Sequence, residues 1–122
     1  MSTYDIVQLS GDVVLVTERE QFNLRRDGEE MLSGVHSLFA SNPRLRRLVV
    51  DSRLPIYDLD DIVVGLNLAA PYFQQMNLEK LIVIGSEKLQ EVAVEGMGTD
   101  TFGNLPTYFF FDIEEALAEA RN

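Results

Sequence analysis

The chain has 122 residues, 46% of which are hydrophobic, and it contains no cysteine. These values predict one folded domain over residues 1–122, and they exclude a disordered chain, a disulfide framework and a thiolate-based site. The formal net charge of −10 argues against a nucleic-acid partner, because affinity for phosphates depends on clustered lysine and arginine.

The first elements of the chain form a predicted β-hairpin. Tyr4–Leu9 and Val13–Val16 are short apolar runs, and residues 10–12 between them read Ser-Gly-Asp, which is typical of a turn. The second run is apolar on both faces, so we expect it to lie inside a sheet rather than at its edge.

A helix and a buried strand are predicted next. Between Asn23 and Ser41 the apolar residues recur every three or four positions, as on one face of a helix, and Asn42-Pro43 then ends it. Leu48–Asp51 is a short apolar run typical of a buried strand. The inward-facing residues of the helix are predicted to be Leu24, Met31, Leu32, Val35, Leu38 and Phe39.

A second helix begins after a loop that contains Pro55. Asp58 is a typical N-cap residue, and Asp60 and Asp61 then lie favourably at the positive end of the helix dipole. Pro71 lacks a backbone N–H, so we expect it to kink or split the helix. The predicted apolar face consists of Leu59, Ile62, Val63, Leu66, Ala70 and Phe73.

Two further strand–helix pairs complete the chain. Leu81–Gly85 and Thr107–Phe111 are apolar runs typical of buried strands, and Ser86 and Asp112 follow them as predicted N-cap residues. A glycine-rich stretch over residues 96–106 is predicted to be a long loop. The inward face of the third helix is predicted to be Leu89, Val92 and Ala93.

The resulting element order, ββαβαβαβα, predicts an α/β fold. Strands separated by helices lie parallel with right-handed crossovers, and the hairpin adds one antiparallel strand. We therefore expect a mixed five-stranded sheet with about four helices. Its inner strands are predicted to be Val13–Val16, Leu48–Asp51, Leu81–Gly85 and Thr107–Phe111.

Three segments carry a resemblance to a known family. RLRRLVVDSR at residues 44–53, KLIVIGS at 80–86 and YFFFDIEEALA at 108–118 resemble the SpoIIAA-like superfamily, and within it the small bacterial STAS/SEC14 domain proteins. The resemblance spans nearly the whole chain and implies a single SpoIIAA-like (STAS-like) domain. Its motifs mark buried strands and helix caps, so it implies a fold rather than an activity.

The resemblance also implies a position for a regulatory serine. Anti-anti-sigma factors of the STAS class carry a phosphorylatable serine in the motif Asp-Ser-[Ser/Thr]-Gly-Leu, at a helix start after the central strand. The corresponding residues 56–61 read Ile-Tyr-Asp-Leu-Asp-Asp here, without serine, threonine or glycine. Acidic residues partly mimic phosphoserine but cannot be switched, so we expect no recognisable phospho-switch.

Few residues offer catalytic or metal-binding chemistry. His36 is the only histidine and there is no cysteine, so we predict no metal site and no cofactor. The sequence also shows no recognisable Ser-His-Asp triad. A packing or subunit-contact role for His36 is favoured over a catalytic one. The glycines of residues 96–100 follow a helix and lack the lysine of a phosphate-binding loop, so they are interpreted as a helix end and loop.

A binding site is predicted at the carboxyl rim of the sheet. The loops after parallel strands converge there, and two helix N-termini open there with free amides. Because aspartates make this rim acidic, we expect a basic or neutral partner. The predicted site residues are Asp51, Ser52, Arg53, Tyr57, Asp58 and Ser86.

These observations favour a non-enzymatic regulatory or protein-interaction module. One alternative is a carrier of a small apolar ligand, which the SEC14 part of the resemblance and the apolar second helix suggest. A second alternative is an enzyme with its site at the carboxyl edge of the sheet, using Asp51, Arg53 and Ser86.

Surplus apolar surface predicts self-association. The apolar surface is larger than one sheet face and four short helices cover, since it includes Leu54, Ile56, Tyr57 and the aromatic last strand, so we expect a homodimer.

No apolar run approaches the ~20 residues of a membrane span, and the first five residues show no signal peptide. A cytoplasmic location is therefore expected.

Overall fold

The computed structural model describes residues 2–9, 11–96 and 104–122. Ser10 of the predicted turn and residues 97–103 of the predicted glycine-rich loop lie outside this description. The described elements are β1 (Tyr4–Gln8), β2 (Val13–Glu18), α1 (Leu24–Ser41), β3 (Arg47–Asp51), α2 (Leu59–Gln75), β4 (Lys80–Ile84), α3 (Lys88–Gly96), β5 (Thr107–Phe110) and α4 (Ile113–Arg121). Their order confirms the predicted ββαβαβαβα.

The strands form one sheet in the order β1-β2-β3-β4-β5. β1 pairs antiparallel with β2, and the three remaining pairings are parallel, so the hairpin and the mixed sheet are confirmed. The placement of Thr107–Phe111 among the inner strands is wrong, because β5 is an edge strand. Helices α3 and α4 pack against β5 from the two faces of the sheet, as they would against an inner strand, but among the described strands β5 pairs with β4 alone.

Alternation along the strands divides the core between two faces of the sheet. Val14 and Val16 belong to the larger cluster, which also contains apolar residues of α1 and α2. Val13 and Val49 belong to the smaller cluster, which α4 covers with Ala116 and Ala120 among others. Helices α1 to α3 therefore line one face, and α4 packs on the other.

Three of the four described helices begin at a side-chain cap, and two of these caps, Asp58 and Asp112, are the predicted ones. The Asn23 side chain accepts from the Arg26 amide at 3.1 Å, and Asp112 accepts from the Glu114 amide at 3.2 Å. Asp58 forms a capping box with Asp61, in which each side chain accepts from the other residue's backbone amide. These contacts satisfy amide donors that the first helical turn leaves unpaired.

The predicted Ser86 cap is wrong. Helix α3 begins at Lys88, and the Gln90 side-chain oxygen accepts from the backbone amides of Ser86 and Glu87 at 2.8 and 3.0 Å. The side-chain amide of Gln90, in the first turn of the helix, thus accepts the backbone hydrogen bonds that the Ser86 hydroxyl was expected to accept. Gln90 and Val94 are also the buried residues of this helix, whereas the predicted Val92 is exposed.

Helix α2 runs without a break through Pro71, so the predicted split does not occur. Proline removes one backbone hydrogen bond, and the other bonds of this 17-residue helix keep it continuous. Its predicted apolar face is only partly right. Phe73 is buried as expected, Ala69 is buried in place of Ala70, and Leu59 and Val63 near the start of the helix are exposed.

In the described part of the chain, no helix has the length and apolarity that crossing a membrane requires.

Candidate functional site

A cavity of about 140 Å³ lies between the sheet and helices α1, α2 and α3. Most of its wall is apolar, since alternate side chains of β2 to β4 face the apolar sides of the helices. Val16 and Val50 lie on the sheet side, and Leu32, Leu66 and Phe73 lie on the helix side. The cavity therefore occupies part of the space between the sheet and its helical layer.

The polar end of the cavity is built around Glu18, the last residue of β2. Its side chain faces the same side of the sheet as Val14 and Val16, and the residue is only 4% exposed. The Tyr57 hydroxyl donates a hydrogen bond to Glu18 Oε1. This contact connects the loop before α2 to the end of an inner strand.

Burial raises the pKa of the Glu18 carboxyl to about 7, because the charged form loses its hydration. Hydrogen bonds from Tyr57 and Ser52 act in the opposite direction, and the nearby charge of Asp51 raises the pKa further. Burial, followed by the charge of Glu18, also raises the pKa of Tyr57. The pair thus holds a carboxyl that titrates near neutrality beside a phenol that stays protonated.

Among the described residues, no lysine or arginine forms an ion pair with Glu18. Arg19, the next residue in the chain, pairs with Asp5, and Arg53, in the loop after β3, pairs with Asp51 at 2.8 Å. Glu18 is therefore a buried carboxyl whose described neighbours supply hydroxyl groups but no positive charge.

Gln90 closes the rim beside Glu18 and Ser52. While its oxygen accepts from the two amides before α3, its nitrogen donates to the Ser52 carbonyl at 3.0 Å. All three bonds involve backbone groups, and the Gln90 side chain is buried. One side chain therefore holds the start of α3 against the loop after β3.

The structure brings only two of the predicted site residues to the cavity. Ser52 and Tyr57 lie in its wall. Asp51 is in register with Ile84, which belongs to the core under α4, so Asp51 and its partner Arg53 lie towards the opposite face. Asp58 serves as the α2 cap, and Ser86 is exposed with its amide bonded to Gln90.

Glu18 and Gln90 are not among the site residues predicted from the sequence. The predicted strand ends at Val16, whereas β2 continues to Glu18. Continuing the alternation from Val14 through Val16 places Glu18 on the same buried face, and that pattern is a usable signal. Gln90 gave no comparable signal, because its role depends on where α3 packs.

His36, the remaining candidate residue, lies away from this cavity. The His36 ring lies edge-on to Tyr72, with ring centroids 5.9 Å apart. It lines a different cavity, near the carboxyl ends of α1 and α2, together with Phe39 and Met76. Within residues 2–9, 11–96 and 104–122, no three His, Asp or Glu side chains are grouped so as to hold a metal ion.

Two solved structures resemble this chain over nearly its whole length. One is an anti-sigma factor antagonist from Mycobacterium paratuberculosis, with a TM-score of 0.61, 17% identity, and coverage of 98% of this chain and 94% of that one. The other is an uncharacterised DUF3478-family protein with a SpoIIAA-like fold from Shewanella loihica PV-4, with a TM-score of 0.65, 20% identity, and coverage of 96% and 91%. No family model and no curated protein matches the chain. The likeness confirms the SpoIIAA-like fold that the sequence motifs implied.

Proposed function

We propose that the protein is a non-enzymatic regulatory module that acts by binding a small apolar ligand in the cavity between its sheet and helices α1 to α3. The observation that carries this proposal is the cavity itself, whose wall is apolar except at Glu18, Ser52, Tyr57 and Gln90. Small-molecule sites combine a largely apolar wall with a few convergent polar groups that orient the ligand.

The volume of the cavity limits the size of the ligand. An apolar cavity of about 150 Å³ is known to bind benzene, and this one measures about 140 Å³. A single aromatic ring or a short branched chain therefore fits within it. Longer chains would have to extend past the rim or displace side chains of α2.

Titration with benzyl alcohol tests the proposal, because this probe has one ring and one hydroxyl head. Isothermal calorimetry should detect binding to the unmodified protein. Ala69 is buried in the cavity wall, so Ala69→Phe should fill the cavity and reduce the affinity at least about tenfold. Ala118 is exposed on α4, and Ala118→Phe is the matched control that should leave binding unchanged. Equal affinity in both variants would count against the cavity as the site.

A protein partner is the second candidate, and an exposed apolar patch favours it. Leu54, Ile56, Leu59 and Val63 are exposed around the start of α2, and Ile56 is 90% exposed. One structural neighbour is described as an anti-sigma factor antagonist, which is consistent with a role in protein binding. Such patches mark interaction sites when they are contiguous.

Affinity purification from the host tests this second candidate. A partner that uses the patch should be retained by the unmodified protein and lost with Ile56→Asp, because the substitution places a charge in the contact. Val7 is an exposed apolar residue of β1, so Val7→Asp is the matched control that should retain the partner. Retention by both variants would exclude the patch.

A further inference from the structure

We propose that the ligand of this cavity is a small apolar amine, whose ammonium group pairs with the Glu18 carboxylate. This inference rests on the proposed function and adds to it the charge of the ligand head. It follows from the chemistry of the cavity's polar end.

Glu18 is the ionisable carboxyl in the cavity wall, and the residue is 4% exposed. A buried carboxylate is costly unless a cation or several hydrogen bonds compensate for its lost hydration. Glu18 has hydroxyl neighbours, but no described lysine or arginine pairs with it. An ammonium group in the cavity would supply the missing positive charge.

The carboxylate also has acceptor positions to spare. An ionised carboxylate offers about four lone-pair sites. Tyr57 and Ser52 form side-chain hydrogen bonds with it. The side-chain amide of Gln90 forms its hydrogen bonds with backbone groups instead. An ammonium group has three donors and no acceptor, which matches an end of the cavity that still has acceptor capacity.

The charges around the site favour a cation over an anion. The charge of Asp51, at the end of β3, acts on the Glu18 carboxyl, and the charge of Asp61, in α2, acts on the Tyr57 hydroxyl. The arginines near these aspartates are already paired, Arg53 with Asp51 and Arg25 with Asp61. With a net charge of −10 on the whole chain, the site attracts an ammonium ligand and repels a carboxylate ligand.

Three probes with the same ring and different heads test the inference at pH 8: benzylamine, benzyl alcohol and benzoate. Calorimetry should show benzylamine binding at least about tenfold more tightly than benzyl alcohol, since charged hydrogen bonds are stronger than neutral ones. Benzoate should bind most weakly. Equal or tighter binding of benzyl alcohol or benzoate would overturn the amine inference and leave the proposed function standing. Absence of binding by all three would overturn both.

Two variants assign the preference to the carboxylate. Glu18→Gln should remove the advantage of benzylamine and leave benzyl alcohol binding within about threefold of its original affinity. Tyr57→Phe keeps the carboxylate, so it should keep the preference for the amine. A preference for benzylamine that survives in Glu18→Gln would show that another group selects the amine. The fold of each variant is verified from its two-dimensional NMR spectrum.

The pH dependence provides a readout that does not require a variant. Benzylamine affinity should fall as the pH is lowered from 8 to 6, because Glu18 takes up a proton and loses its charge. Benzyl alcohol affinity should change much less. Asp51, Asp61, Arg25 and Arg53 are the other charged groups near this end, and they are joined in the ion pairs Arg53–Asp51 and Arg25–Asp61. Parallel pH profiles for the two probes would contradict the pairing with Glu18.

Discussion

Glu18 is buried at the end of an inner strand, where its carboxyl accepts a hydrogen bond from the Tyr57 phenol. Because burial raises the pKa of this carboxyl, the stability of the protein depends on pH. The pKa of Glu18 is raised from 4.5 to about 7 in the folded chain, so the folded state binds the proton more tightly than the unfolded state. The stabilisation is fully present below pH 4.5 and is lost as the pH rises through about 7. Over that window the loss amounts to roughly 3 kcal/mol.

The variant Glu18→Gln should therefore flatten the stability profile between pH 4.5 and 7. A neutral amide carries no proton to lose, so the variant should gain stability relative to the unmodified protein as the pH rises. Urea unfolding at pH 5 and pH 8 measures both free energies. An unchanged difference between the two proteins at the two pH values would show that Glu18 titrates normally.

Asp27 connects the segment before β1 to the start of α1. Its carboxylate accepts from Thr3 Oγ1 at 2.9 Å and from the Asn23 amide at 3.0 Å, and it pairs with Arg26. The hydrogen bond from Arg26 is the largest factor that lowers its pKa below the usual 3.8.

We expect Asp27→Asn to destabilise the protein by roughly 2 kcal/mol at pH 7, because the buried contacts lose a charged acceptor. The stabilisation is present above pH 3.8 and is lost as the pH falls, so the effect should shrink in acid. Thermal unfolding at pH 7 and pH 3 measures it. Glu29 is exposed on the same helix, and Glu29→Gln is the control that should have little effect. A similar loss in both variants would contradict the proposed role of Asp27.

At the level of single residues, the sequence predicted contacts set by local geometry and missed those set by packing. Asp58 and Asp112 are caps, as predicted, because a short acceptor side chain precedes each helix. Ser52 and Tyr57 belong to the site because the loop after a parallel strand carries them to the rim. Gln90 replaces the predicted Ser86 cap, because its side chain reaches both α3 and the β3 loop, a relation that no local pattern encodes.

The carboxyl end of α4 is held by a cation from a neighbouring strand. Lys80 Nζ donates to the Glu119 carbonyl at 3.0 Å, pairs with the Glu119 carboxylate at 2.6 Å and lies 5.2 Å from the centroid of the Tyr108 ring. A positive charge at a helix carboxyl end also interacts favourably with the dipole. This contact fixes the helix that covers its own face of the sheet.

Lys80→Met should cost about 2 kcal/mol of stability, because it leaves a largely buried carboxylate and carbonyl without their donor. Urea unfolding at neutral pH measures the loss. Lys88 also pairs with a glutamate, Glu91, but its side chain is 81% exposed. Lys88→Met is therefore the matched control and should have a much smaller effect. Losses of equal size would show that Lys80 acts only as a surface charge.

The sequence predicts the order of the helices and strands more completely than it predicts which of their faces are buried. Apolar runs and caps were sufficient for the order of all nine described elements and for the parallel pairing of β4 with β5. The edge position of β5 was missed, because an aromatic strand packed by helices has the same composition as an inner one. The exposed Leu59 and Val63 of α2 show that periodicity finds an apolar face without showing how much of it is covered.

Several large apolar side chains are exposed on the surface of the molecule, and the homodimer predicted from the sequence would bury them. Leu54, Ile56, Tyr108 and Phe111 are exposed, whereas Tyr57 is half-buried with its hydroxyl on Glu18 and contributes less to this surface than expected. Sedimentation velocity at micromolar concentration should give about twice the 13.8 kDa of one chain. Phe111→Asp should shift the species towards the monomer. A single 13.8 kDa species for the unmodified protein would contradict the prediction.

Intermolecular nuclear Overhauser effects to assigned methyl groups test whether the ligand binds in the cavity. With benzyl alcohol added to the labelled protein, we expect contacts from the ring protons to methyls of Val16, Leu32 and Leu66, which line the cavity. Contacts to Ala40 or Met76, in the cavity at the opposite rim, would contradict it, as would a ligand that contacts no methyl at saturating concentration.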